Sequence, residues 1–197
     1  MIPRVLLVAA APVVALLAVG PVEDRLARRL MDAPRRLPEE SGMAPALDRL
    51  GGEVVRLRSR DGVRLSGRWL AAEPVEGWAP DPREAILLLH GWSGSVTPDL
   101  LDVGPFLRRT AGVLGLDFRG HGGSDDAPTR FGLNEIEDVA GALAWLGERG
   151  IRRVVLVGSS MGGITAIAAV AVLGDGRLTS ADADPAATAS TVDAPRP

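Results

Sequence analysis

Val154-Val155-Leu156-Val157-Gly158-Ser159-Ser160-Met161-Gly162-Gly163 decides how the rest of this sequence is read. Its first four residues form a short, continuous apolar run. Such a run, bounded by turn residues, suits a parallel strand buried on both faces. Gly-x-Ser-x-Gly follows, and Met161 to Leu173 is then apolar nearly all round, which predicts a buried helix. A sharp turn from strand to helix forces its middle residue, Ser160, into strained backbone angles and lifts the hydroxyl out of the sheet. The helix start behind it offers unpaired amides and a positive dipole end to an oxyanion. A glycine-rich turn that only packs, or a phosphate cradle, is the plainer reading of the same glycines.

Working outward, Ala85 to Leu89 and Gly112 to Leu116 are two further continuous apolar runs. A helix is expected between them, with Thr97 as cap, Pro98 at its first position and Gly104-Pro105 interrupting it on the way to Arg109. Asn134 with Glu137 has the form of a capping box. Ile136, Val139, Ala140, Leu143 and Leu146 then fall on one helix face, and Gly150 ends that helix. Upstream, Glu53 to Arg60 and Val63 to Leu70 alternate apolar and polar residues around Asp61-Gly62, a hairpin signal. The order is hairpin, then strand-helix-strand-helix-strand-helix, which predicts an α/β class with a mostly parallel sheet.

Two more blocks follow predicted strands: His90-Gly91-Trp92-Ser93-Gly94-Ser95, and Asp117-Phe118-Arg119-Gly120-His121-Gly122-Gly123-Ser124-Asp125. With the Ser160 block, their order and spacing resemble the α/β-hydrolase family, in its serine-dependent esterase, lipase and aminopeptidase-like branch. The resemblance covers about Glu53 to Leu173. It implies the N-terminal half of an α/β-hydrolase fold: the hairpin plus a mostly parallel sheet, with helices on both faces. It implies Ser160 as nucleophile and the backbone amides of Met161 and Trp92 as the oxyanion hole. His90 and His121 would shape loops near the site. A small-molecule or lipid-like acyl substrate follows from the same resemblance, and neither a cofactor nor a metal is called for.

The family order places an acid and then a histidine after the nucleophile. Here no histidine follows His121, and the acids beyond Ser160 are Asp175, Asp182, Asp184 and Asp193. The expectation is therefore a truncated sequence, whose Ser160 lacks a base and hydrolyses weakly. A catalytically inactive descendant or binding module, and acyl transfer in place of hydrolysis, are the competing readings. An open sheet that stops at the Val154 strand would leave that strand as an edge and its following helix half uncovered.

Composition narrows the rest. The 197 residues carry 22 basic and 25 acidic side chains, a formal net charge of -3, which argues against a nucleic-acid binder. All the basic residues are Arg. With no Cys, disulfides, thiolate metal sites and a cysteine nucleophile are excluded. Val5 to Val22 is an apolar run long enough to cross roughly 27 Å of bilayer core. The following Arg25, Arg28, Arg29, Arg35 and Arg36 favour a single-pass membrane anchor with a cytoplasmic C-terminal side. A cleaved signal peptide and secretion is the alternative. The expected organisation is an anchor or signal segment over 1–22, a polar stem over 23–52, hydrolase-like body over 53–173 and a low-complexity tail or loop over 174–197.

Overall fold

The computed structural model describes residues 25–26, 42–92 and 94–174. The chain divides into two units, Met1–Ala33 and Pro34–Pro197. Of the first, Arg25 and Leu26 are described, and both are helical. The expectations for Val5 to Val22 and for residues 175–197 fall outside the described residues. No described helix is long and apolar enough to cross a membrane.

The second unit holds a mixed five-stranded sheet in the order β1-β2-β4-β3-β5. Strand β1 is Glu53–Arg58 and β2 is Arg64–Leu70; they pair antiparallel, with Arg58 opposite Arg64. The hairpin forms where alternation and Asp61-Gly62 place it, with Gly62 at φ 95. Its strands stop short of Arg60 and Val63 because Ser59 closes the loop: its Oγ accepts from Val63 N–H at 2.8 Å, and its N–H donates to Val63 O at 2.9 Å. Strands β3 (Glu84–Leu89), β4 (Gly112–Asp117) and β5 (Arg153–Gly158) are mutually parallel, and β2 joins β4 antiparallel.

Helix α1 is Ala44–Arg49, α2 is Val96–Leu107, α3 is Glu135–Glu148 and α4 is Met161–Leu173. The connection from β3 to β4 and that from β4 to β5 run in opposite directions across the sheet. Right-handed crossovers then put α2 and α3 on opposite faces. The core accordingly has two halves. Leu87, Leu89, Leu114 and Leu116 face α3 and α4, whereas Ile86, Leu88 and Val113 face Val96 and Leu100 of α2 and Leu47 of α1. This double covering is why β3 and β4 read as unbroken apolar runs. Each fully buried Leu contributes on the order of 1.5–3 kcal/mol.

Four expectations are corrected by this packing. The segment 23–52, expected as a polar stem, contains α1, whose Leu47 is fully buried, so the packed body reaches back at least to Ala44–Arg49. The cap of α2 is Ser95, not Thr97. Ser95 Oγ accepts from Thr97 N–H at 3.3 Å, and Asp117 Oδ1 takes the Val96 N–H at 2.9 Å, which starts the helix two residues earlier than Pro98 suggests. The helix also runs through Gly104-Pro105, since a proline so near its end removes only one intrahelical bond. The Asn134–Glu137 capping box does not form. Glu137 is instead paired bidentately with Arg60 at 2.6 Å, and Asn134 Nδ2 donates to Pro128 O at 3.0 Å.

Helix α4 is buried on one side only. Met161, Gly162, Thr165, Ala169 and Leu173 point inward, while Ile167 is 76% and Val172 62% exposed. The neighbouring β5 is an edge strand, with Val155 54% exposed.

Candidate active site

The parallel strands end together at Leu89, Asp117 and Gly158, and the three motif loops leave from that rim. Between β5 and α4 the chain turns through Ser160 at φ 50, ψ -117. A side-chain-bearing residue there stores about 1–3 kcal/mol of strain. The surroundings hold it. A Cβ on Gly158 would lie 2.4 Å from Gly162 C, and one on Gly162 would lie 2.2 Å from Leu89 O. Only glycines let β5, the turn and the end of β3 come this close. Ser159 N–H donates to Leu89 O at 3.2 Å, Gly162 N–H to Ser159 O at 2.8 Å, and Ile164 N–H to Ser160 O at 3.1 Å.

Ser160 is exposed at this turn, while the Met161 side chain is buried beneath it. The Met161 N–H is the first of α4 and has no partner one helical turn back. The β3 exit loop runs alongside: a Cβ on Gly91 would sit 3.5 Å from Ser160 Cβ and 3.7 Å from Ser159 Oγ. Gly91 thus brings the backbone entering Trp92 beside Ser160. Ser159 is exposed too, so exposure does not separate the two serines; the left-handed backbone belongs to Ser160 alone. The Trp92 ring packs on Phe131 at 5.9 Å. Its Nε1 is closed off from solvent with no hydrogen-bond partner among the described residues.

The two histidines are structural in this geometry. His90 is buried between two backbone groups: Phe118 N–H donates to its Nε2 at 3.1 Å, so its proton sits on Nδ1 and is donated to Gly91 O at 2.6 Å. Burial pulls the imidazole pKa down to about 4, keeping it neutral. His121 is also buried. Its Nδ1–H donates to Arg119 O at 2.9 Å, and its ring lies 5.0 Å from that of His90. Ser124 is likewise committed, donating to Asp117 O at 2.6 Å and accepting from Ser66 N–H at 2.9 Å.

Two supporting groups escaped the reading of the motifs. Asp117 accepts from Val96 N–H and Gly123 N–H, both at 2.9 Å, and ties the first two rim loops together; burial pushes its carboxyl above the usual range. Arg119 bridges Asp138 on α3 to Asp61 in the hairpin loop. Burial works against its charge, but hydrogen bonds to Asp61 and Asp138 outweigh it and raise the guanidinium pKa. The signal available was an arginine placed two residues after a buried strand.

Residues 86–197, more than half of the chain, match the sequence profile of the alpha/beta hydrolase family. The chain belongs to that family. Among solved structures, the chain is similar to the Pyrococcus furiosus esterase Pf2001, at 28% identity over 61% of this chain and 47% of that one, with a TM-score of 0.51. It is similar to the esterase RhEst1 from a Rhodococcus species at 26% identity, covering 63% of this chain and 42% of that one, TM-score 0.51. An alpha/beta hydrolase from Novosphingobium aromaticivorans aligns at 27% identity, with 61% and 39% coverage and a TM-score of 0.50. No curated protein matches the chain. The chain spans about half the length of Pf2001.

Proposed function

We propose that the chain carries the nucleophile and oxyanion hole of a serine hydrolase acting on an ester, thioester or amide. The observation that carries this reading is the strained backbone of Ser160 at the head of α4, beside Gly91. In the proposed reaction Ser160 Oγ bonds to the acyl carbon as its proton leaves. The tetrahedral oxyanion accepts from the Met161 and Trp92 amides, the bond to the leaving group breaks, and the leaving group departs protonated. Water then cleaves the acyl-enzyme and restores the hydroxyl. Two of the similar structures are esterases, which favours an ester among the three acyl classes.

No proton acceptor for Ser160 is assigned among the described residues. His90 and His121 hold backbone carbonyls with Nδ1, and neither is proposed as the base. Without one, triad chemistry loses on the order of 10⁴–10⁶ in rate, leaving what the amides supply. That favours a second reading, in which the 197-residue form is an inactive member or a binding module.

A serine-reactive phosphonate followed by peptide mapping tests the assignment. Slow labelling confined to Ser160, abolished by Ser160→Ala and kept in Ser159→Ala and Ser124→Ala, is the expected result. Label on Ser159, or none on Ser160 after prolonged exposure, removes the nucleophile reading. Rapid labelling that His121→Ala abolishes would instead make His121 the base.

A further inference from the structure

The hairpin presents a charge pattern that the Ser160 chemistry does not use. Leu57 and Leu65 turn toward α3 and α4, so the alternate residues Arg56, Arg58, Arg64 and Ser66 share the opposite face. Arg58 lies directly across from Arg64, and Arg56 across from Ser66. Like charges directly opposite on paired strands, with Cβ atoms about 4.5–5.5 Å apart, destabilise a hairpin. Arg64 is offset by Asp125, whose Oδ2 accepts from its Nε at 2.7 Å. Arg56 and Arg58 form no ion pair with a carboxylate among the described residues, though the buried Asp117 carboxylate is close enough to act on Arg56; Arg56 donates to Ser66 Oγ, and Arg58 Nη1 donates to Gly62 O at 3.0 Å.

These side chains line a cleft of about 540 Å³, the size of a small-ligand site. Gly123 closes one side. Its missing Cβ would lie 2.8 Å from Ser66 Oγ and 3.6 Å from Arg56 Nη1, so the loop after β4 seats on the hairpin only because nothing is there. The single hydrogen bonds anchor each guanidinium while leaving most of its five donors for a ligand. The three guanidinium groups and the Asp125 carboxylate leave two positive charges around the cleft, in a chain whose net charge is -3. Planar guanidinium forks match phosphate oxygens, and a phosphate monoester carries about 1.5–2 negative charges.

We propose that the Arg56–Arg58–Arg64 cleft binds the phosphate group of a small soluble ligand. The site stands apart from Ser160. With the strand order β1-β2-β4-β3-β5, three to four strand spacings, about 14–19 Å, separate them, so this inference does not rest on the nucleophile reading.

The test uses the full 197-residue chain dispersed in a non-ionic detergent. Inorganic phosphate is titrated at constant ionic strength and followed by phosphorus NMR, with denaturation midpoints taken in phosphate and in chloride. Saturable binding is expected, weakened about tenfold or more by Arg58→Gln or Arg56→Gln and unchanged within about twofold by Arg152→Gln at an exposed site elsewhere. In chloride, Arg58→Gln should raise the midpoint by relieving the Arg64 repulsion; in phosphate the wild type should become the more stable. Absent or non-saturable phosphate binding, or equal weakening by all three variants, overturns the proposal. So does Arg58-dependent retention on phosphatidylcholine vesicles containing one fifth phosphatidylglycerol, relative to pure phosphatidylcholine, without binding of free phosphate; that result would assign the cleft to lipid headgroups.

Discussion

Arg119 and Asp138 meet three times: Arg119 Nε and Nη2 both donate to Asp138 Oδ1, at 2.9 and 2.8 Å, and the Arg119 backbone N–H donates to Asp138 Oδ2 at 2.9 Å. Asp138 is fully buried, so removing it leaves the Arg119 Nε and backbone N–H without an acceptor, while Asp61 still holds Nη1 and Nη2. Asp138→Ala should cost about 3–5 kcal/mol of stability, read from urea midpoints. Asp61→Ala, which removes a partner whose carboxylate is partly exposed, should cost less. Equal costs would show that the Asp138 contact is not the anchor.

The elbow glycines should differ in tolerance. Gly162→Ala places a methyl 2.2 Å from Leu89 O and should cost more than about 2 kcal/mol, whereas Gly163→Ala meets Gly158 O at 3.2 Å and should cost less than half of that. Thermal melts of the two variants decide it, and an unperturbed Gly162→Ala would contradict the turn geometry.

His90 sets a pH dependence. Its folded pKa of about 4 lies below the unfolded value of 6.5, so between those limits the unfolded chain binds more protons. Stability is fully present above pH 6.5 and falls as the pH drops toward 4, by about 3 kcal/mol in total. His90→Gln keeps one donor and one acceptor but cannot titrate. The variant should lose that slope while other groups cancel in the difference; parallel curves for the two proteins would rule the assignment out.

The open edge and the outer face of α4 bear on solubility. Val155, Ile164, Ile167, Val170 and Val172 are all between 46% and 76% exposed. The chain should self-associate and bind hydrophobic dyes, and Val155→Lys with Ile167→Lys should reduce both. A wild type that sediments as a single monomer and ignores the dye would defeat this expectation.

At the N-terminus, we propose a membrane anchor over Val5 to Val22 on the apolar sequence of that run alone. Deleting Met1 to Val22 should release the chain from isolated membranes. Recovery of a product shortened near Gly20 in the exported fraction would favour the cleaved-signal alternative.

How much was legible depended on the range of the signal. Strands β3 and β4 showed in the sequence because each is covered on both faces, β5 showed as the same kind of apolar run although it lies at an open edge, and the hairpin showed because Asp61-Gly62 sits between alternating runs. The Ser160 turn was legible because strand, glycines and apolar helix are consecutive. The start of α2 was not, since Ser95 and Thr97 are equally good caps and the choice is made by Asp117, on the next strand. Helix α1 offers one buried anchor, Leu47, too little for a periodicity. Asp138 reads as one more acid in a helix's first turn until the fold brings Arg119 to it.

The pairing of the hairpin with α3 also gives the molecule an optical handle. Trp69 of β2 meets Trp145 of α3 edge to face at 6.1 Å, and the Arg149 guanidinium covers the Trp145 ring at 3.4 Å. Two of the four tryptophans therefore emit from one seam, while Trp78 is 57% exposed on a distant loop. Peeling the hairpin from α3 would shift their emission to the red and relieve any quenching within the pair before the parallel strands separate, so intrinsic fluorescence reports on that seam as well as on global unfolding.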